Sequence, residues 1–354
     1  MQKNKIALLP ALEKIEGVIS ASGDGLIGGS AGLSIFYHQL YLTSENESHL
    51  EKSRELITAA VEAYAGMEDI SFRDGSFGVA LSINYMMNAG VIAIDAGELS
   101  ESIDTPVYIS SLRSIVQGHY DFWEGGLGAV PYAYERLPDA RAKGYLHQVH
   151  SLMADSKLLG IYMDGIMEYL SAGATRANGS MILRILDQIT NIVKILIQFR
   201  KLLPQITGID AGLSSFADWI VGVRSDLKRL NNESEYLFFE LRLCFILLQI
   251  GNEHQKDFAL LILNDLYSKR EDLLNSPLPL TCINGLGEWA YIFKKLHRTF
   301  DLSVAGTEYN FWIAVINAEV LKGTCTRDLA GIGIVLTDYL NDLDNGLIDK
   351  LLLM

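Results

Sequence analysis

Few side chains in this 354-residue sequence combine the type and spacing that chemistry needs. Asp121 and Glu124 stand three residues apart, about one helical turn. At that spacing one carboxylate of a pair can hold its proton for acid/base work, or Asp121 can simply cap the helix that follows. Arg73 and Asp74 precede a glycine-led apolar run and could reach the same place or form a local ion pair. His147 and His150 are also three apart, but no third ligand accompanies them, and a metal site needs three or four. The cysteines, Cys244, Cys282 and Cys325, are odd in number and far apart. That argues against a disulfide framework and suits a reducing compartment, so a cytoplasmic protein is expected. No Ser-His-Asp spacing, P-loop or dinucleotide fingerprint is present.

The elements that must position these groups read as helices. Over residues 53–63 the apolar positions Leu56, Ile57, Ala60 and Val61 share one helical face, and Ile182, Ile185, Ile189, Val193 and Ile197 repeat the pattern. Residues 1–17 read as an amphipathic first helix, since their apolar run is too short for a signal segment. The most apolar stretches, 181–203 and 236–250, are interrupted by Arg184, Asp187 and Lys194, and by Glu240 and Arg242. Neither spans a membrane on that pattern. Clusters at 172–179 and 231–234 mark boundaries, but nothing reads as a linker, so one all-α domain over 1–354 is expected. A net charge of -14 repels phosphate backbones and makes nucleic acid a poor partner.

One recurrence organises the helices. Gly29-Ser30-Ala31-Gly32 opens an apolar run, as do Gly75-Ser76-Phe77-Gly78 and Gly125-Gly126-Leu127-Gly128, at intervals of 46 and 50 residues. Weaker copies keep one glycine: Gly212, Gly285, and Gly331 in Asp328-Leu329-Ala330-Gly331. A period of this length marks stacked supersecondary units. Glycines three apart lie on one helical face, and their missing side chains would let the first turns of converging helices crowd together.

These Gly-x-x-Gly helices resemble those of the lanthionine synthetase C (LanC-like) family. Tyr120-Asp121-Phe122-Trp123-Glu124-Gly125-Gly126-Leu127-Gly128 is similar to the family's third repeat, with its aspartate four residues before the glycine. Residues 328–336 resemble the terminal repeat, and the likeness runs from about Gly25 to Leu336. The resemblance implies a double α/α toroid of about seven inner and seven outer helices with a central pocket. It also implies a role in modifying peptides, with a peptide substrate or a modification enzyme as partner.

In that family a zinc ion, held by one cysteine of a Trp-Cys-Tyr-Gly motif and by a Cys-His pair before a glycine, makes a substrate thiol nucleophilic. Here the aligned positions are different. Tyr236-Leu237-Phe238-Phe239 falls over the first motif, so Leu237 replaces the cysteine. Ile283, Asn284 and Gly285 fall over Cys-His-Gly, with Cys282 one residue early. A further family histidine falls on Ala211, and only the aspartate persists, as Asp121. Leucine and isoleucine cannot ligate zinc, so neither metal nor cofactor is expected. Arg73, Glu124, Ala211, Leu237, Ile283 and Asn284 become candidate binding positions, and Asp121 the candidate catalytic one. Three readings follow: a degenerate relative that binds a peptide or partner in its central bowl, a carbohydrate- or peptide-active enzyme rewired to acid/base work on Asp121 and Glu124, and a zinc cyclase using Cys244 or Cys282 with a histidine from elsewhere.

Overall fold

A computed structural model describes residues 2–173, 179–230, 233–274, 279–282, 285–323, 328–341 and 348–349. The described residues are helical and contain no strand. They fall into two compact units, Met1–Val149 with Pro279–Leu352, and His150–Leu278.

Two kinds of helix alternate along the first unit. α1 (Gln2–Val18) leads to α2 (Ser30–Ser44), α3 (Glu47–Tyr64) and α4 (Ser76–Asn88). A short α5 (Ala96–Leu99) runs through one wider turn, Ser100–Asp104, into α6 (Thr105–Val116). A tight turn at Gly126–Ala129 enters α7 (Val130–Glu135), and α8 (Ala140–Asp155) follows. α2 buries every residue from Ser30 to Leu40, and α4 every residue from Phe77 to Asn84. Helices apolar all round must be enclosed. α3, by contrast, buries only Leu50, Ser53, Ile57 and Ala60, a single stripe. Asn46 starts it by accepting the Ser48 N–H at 3.1 Å.

The second unit continues the alternation. α9 (Leu158–Ser171) is one-sided, burying Leu158, Met163 and Ile166, whereas α10 (Gly179–Leu202) is buried almost continuously from Gln188 to Phe199. α11 (Ile209–Leu230) is one-sided, and α12 (Glu233–Ile250) is buried from Tyr236 to Leu248. α13 (Glu253–Ser268), started by an Asn252–Gln255 capping box, and the short α14 (Arg270–Leu274) complete it. The chain then returns to the first unit with enclosed α15 (Leu286–Phe300), one-sided α16 (Ser303–Lys322) and enclosed α17 (Leu329–Asn341). Within that unit the enclosed helices neighbour one another in the order α15, α17, α2, α4, α7, and α1 packs on α16 and α17.

The repeat glycines owe their place to a different contact from the one expected. In four loops the amide of the first helical residue bonds the carbonyl seven residues earlier: Ser30 to Gly23, Ser76 to Asp69, Gly126 to His119 and Leu286 to Pro279, at 2.8–3.0 Å. Each loop therefore folds back over its own helix start. Gly29, Gly75, Gly125 and Gly285 are the extended residues at the turn. A Cβ on Gly32 or Gly78 would overlap the carbonyl oxygen of Leu26 or Phe72, six residues earlier. Backbone of the same loop, rather than a neighbouring helix, is what first excludes a side chain.

Gly212 does not share this geometry. It lies in the first turn of α11, and an added Cβ meets nothing within 4 Å.

Candidate functional site

Successive loops of the first unit are stitched into a ladder. Three residues before the first glycine of each repeat stand Leu26, Phe72, Phe122 and Cys282. Leu26 and Ile27 donate their N–H groups to Arg73 O, both at 3.0 Å, and Phe72 N–H donates to Trp123 O at 2.8 Å. Cys282 N–H donates to Asp328 Oδ2 at 2.7 Å. The same side chains pack on the next repeat's second glycine. A Cβ built there would lie 2.8 Å from Leu26 Cβ at Gly78, 2.9 Å from Phe72 Cβ at Gly128, and 2.5 Å from Cys282 Cβ at Gly331. Leu26, Phe72, Phe122 and Cys282 are all at most 4% exposed, so Cys282 fills a slot that elsewhere takes a large apolar residue.

The polar groups of the ladder gather around Arg73. Its guanidinium lies 6.0 Å from the Trp123 ring centre, within cation–π range. Arg73 Nε is 3.8 Å from Glu124 Oε1, a long and solvent-exposed ion pair that adds little stability. Desolvation pushes the Asp328 carboxyl up to about 6, against the N–H groups of Cys282 and Gly331 and then the Arg73 charge, which favour its ionised form. Asp328, at φ 52°, caps α17 by accepting the Gly331 N–H at 3.2 Å on Oδ1. Asp74 is raised as well, by desolvation first, against the pull of Arg73. Trp123 Nε1 is buried without a partner.

Asp121 is built into its loop. Its Oδ1 accepts the N–H groups of Trp123 at 2.7 Å and Glu124 at 2.9 Å. Ser71, at the same place in the second repeat, accepts the Asp74 N–H through its hydroxyl at 3.2 Å. The aspartate thus closes the turn before the helix, a local side-chain-to-backbone bond, while the Glu124 carboxylate faces Arg73.

The remaining candidate positions scatter. Ala211 is exposed on α11, and Leu237 is buried in α12, 2% exposed. Ile283 and Asn284 lie outside the described residues, as does Cys325. No group of three or more His, Cys, Asp or Glu side chains among the described residues is placed to hold a metal. The donor chemistry also fits zinc poorly. Burial pushes the Cys282 thiol well above its ordinary range, and Asp328, Glu288 and Asp338 push it further. Cys244 is likewise raised by burial, with its thiol donating to Ala259 O at 3.4 Å. A buried apolar setting disfavours the thiolate that a metal needs. No protein-family model and no curated protein matches this chain.

Sequence reasoning missed a second polar set, deep in the first unit. Lys294 and Asp338, 3% and 1% exposed, pair at 2.5 Å between α15 and α17. Gln39 of α2 bonds the Tyr85 hydroxyl of α4. These groups stand nine or ten residues after the first position of their repeats, a polar recurrence inside runs that otherwise read only as apolar. The second unit instead offers an apolar cleft of about 220 Å³, walled by Met153, Leu158, Ile192, Leu196 and Ile209, with Lys157 beside it. No helix among the described residues is long and apolar enough to cross a membrane.

Proposed function

We propose that this chain is a divergent LanC-like protein whose loop ladder binds an extended peptide without catalysing zinc-dependent thioether closure. The proposal carries with it the family's double α/α toroid and a peptide or a peptide-modifying enzyme as partner. One observation bears most of the weight: Cys282 occupies the packing slot of Leu26, Phe72 and Phe122, one residue short of the position from which the family grips metal. Leu237, buried and apolar, supports the same reading, since no sulfur is available there. The ladder itself offers what peptide binding needs. Arg73 and Glu124 present exposed charge of both signs, with the buried Trp123 ring beneath the Arg73 guanidinium, on backbone held by inter-loop bonds, and rigid presentation lowers the cost of binding.

The rewired acid/base reading draws less support, because Asp121 spends its carboxylate on two backbone amides. A relocated zinc site draws less too, because Cys244 and Cys282 are buried thiols with raised pKa.

The test uses the purified full chain and a fluorescent model peptide containing one cysteine and one dehydroalanine. Expected outcomes are sub-stoichiometric zinc after growth in zinc-supplemented medium, no thioether product by mass spectrometry, and saturable binding weakened about tenfold by Arg73→Glu. One zinc per chain with ring formation overturns the non-catalytic reading. Absent binding, or binding indifferent to Arg73→Glu, overturns the ladder as the peptide site.

A further inference from the structure

The polar layer deep in the first unit contains more hydrogen-bonding capacity than the protein satisfies. Gln39, fully buried, uses one amide atom on the Tyr85 hydroxyl and leaves Oε1 without a partner. Turning the amide over would only orphan the nitrogen instead. His38, 6% exposed, packs its ring edge-on at 5.9 Å from the Tyr85 ring and leaves Nδ1 unpaired. Asp338 gives Oδ2 to Lys294 and leaves Oδ1 without a partner. Asn84 Nδ2, in the same turn of α4 as Tyr85, is also orphaned. All four residues are more than nine-tenths buried. They come from α4, α2 and α17, with α2 packed against both of the others, and the Asp338 charge acts on the Tyr85 hydroxyl.

Leaving one buried polar atom unpaired costs about 1–3 kcal/mol, so four would consume much of a typical domain's stability of about 5–15 kcal/mol. Buried polar groups are satisfied in folded proteins, by water where protein atoms do not reach. We infer that the layer around Tyr85 is an internal binding site for ordered water, bridging Gln39 and Asp338 and extending to His38 and Asn84. The chemistry favours water over a bare cation. Two oxygens call for a donor and the Asn84 amide calls for an acceptor, and water supplies both whereas a metal ion cannot accept. Such a site would tie three enclosed helices together through one shared network.

A crystal structure of the full chain at high resolution tests this directly. Density for a water within about 3.2 Å of both the Gln39 amide and Asp338 Oδ1 is expected. A dry layer, with those atoms turned to pair with protein groups, overturns the inference, and so does a metal ion in that place. In solution, His38→Phe removes one orphan. A bridged network predicts that Tm falls by about 2–4 °C, because the water loses a partner. A rise in Tm is the signature of an atom that was merely unpaired and counts against the site.

Discussion

Glycine means different things in the two units. In the first, a methyl group on Gly32 or Gly78 would overlap a carbonyl oxygen of its own loop, and Gly128 would meet Phe122 O at 2.6 Å. In the second, added Cβ atoms on Gly160, Gly165, Gly212 and Gly222 meet nothing within 4 Å. The first unit builds its helix starts from folded-back loops that tolerate no side chain. The second relies on apolar helix faces and on buried ion pairs, Arg224 with Glu240 and Arg242 with Asp187 at 2.5 Å. The same residue type is therefore a structural requirement at the folded-back loops of the first unit, and at Gly251 of the second, where a Cβ would meet Leu247 O at 2.6 Å, but a replaceable choice along α9 and α11.

That contrast predicts its largest effect at the ladder. Gly32→Ala and Gly78→Ala should each cost about 4 kcal/mol or more, at the diagnostic end of single substitutions, read from urea unfolding. A wild-type midpoint for either would mean that the loops do not fold back as described. Next comes Lys294→Met, which strands the Asp338 carboxylate in the core and should cost about 3–5 kcal/mol near neutral pH. Adding Asp338→Leu should recover much of that loss, since an apolar pair replaces an ionic one. A double variant no better than the single would show that the pair acts through something other than charge burial.

A smaller effect in the first unit is read by pH. Asp328 and Asp338 titrate at about 6 in the folded chain, above the roughly 3.9 of an unfolded aspartate. The native state therefore holds protons that the unfolded chain has released between about pH 4 and 6. Their contribution to stability is present below that window and is lost as pH rises through it. Tm should increase from pH 7.5 to 5.5, and Asp328→Asn, which keeps the Oδ1 acceptor without the charge, should flatten the rise. A slope unchanged in that variant would remove Asp328 from the account. Cys244 and Cys282 should resist a thiol reagent until the chain unfolds; rapid modification of the native protein would contradict their burial. Smallest of all, Gly212→Ala and Gly222→Ala on α11 should stabilise by about 0.4–1 kcal/mol, and a loss there would erase the contrast.

Much of the fold was legible beforehand. The periodicity around 53–63 anticipates α3, the run at 181–203 anticipates α10, and the intact Gly-x-x-Gly copies each mark a helix start. Gly212 misled because composition alone cannot distinguish a glycine crowded by backbone from one in open space. Asp121 was legible as a residue of interest, but its service to the backbone amides of Trp123 and Glu124 depends on loop dihedrals that no spacing encodes. The polar layer of Gln39, Tyr85, Lys294 and Asp338 went unread because its members are separated by up to about 300 residues of chain, and each alone reads as an exception within an apolar helix.

By itself, the amino-acid order determined helices, their starts and the near-regular period of the glycines, because those depend on contacts within a few residues. Only tertiary structure decided that Cys282 is a packing group and that Arg73 meets Trp123 and Glu124. Those outcomes rest on how neighbouring loops hydrogen-bond across repeats, a long-range pairing that local pattern does not contain.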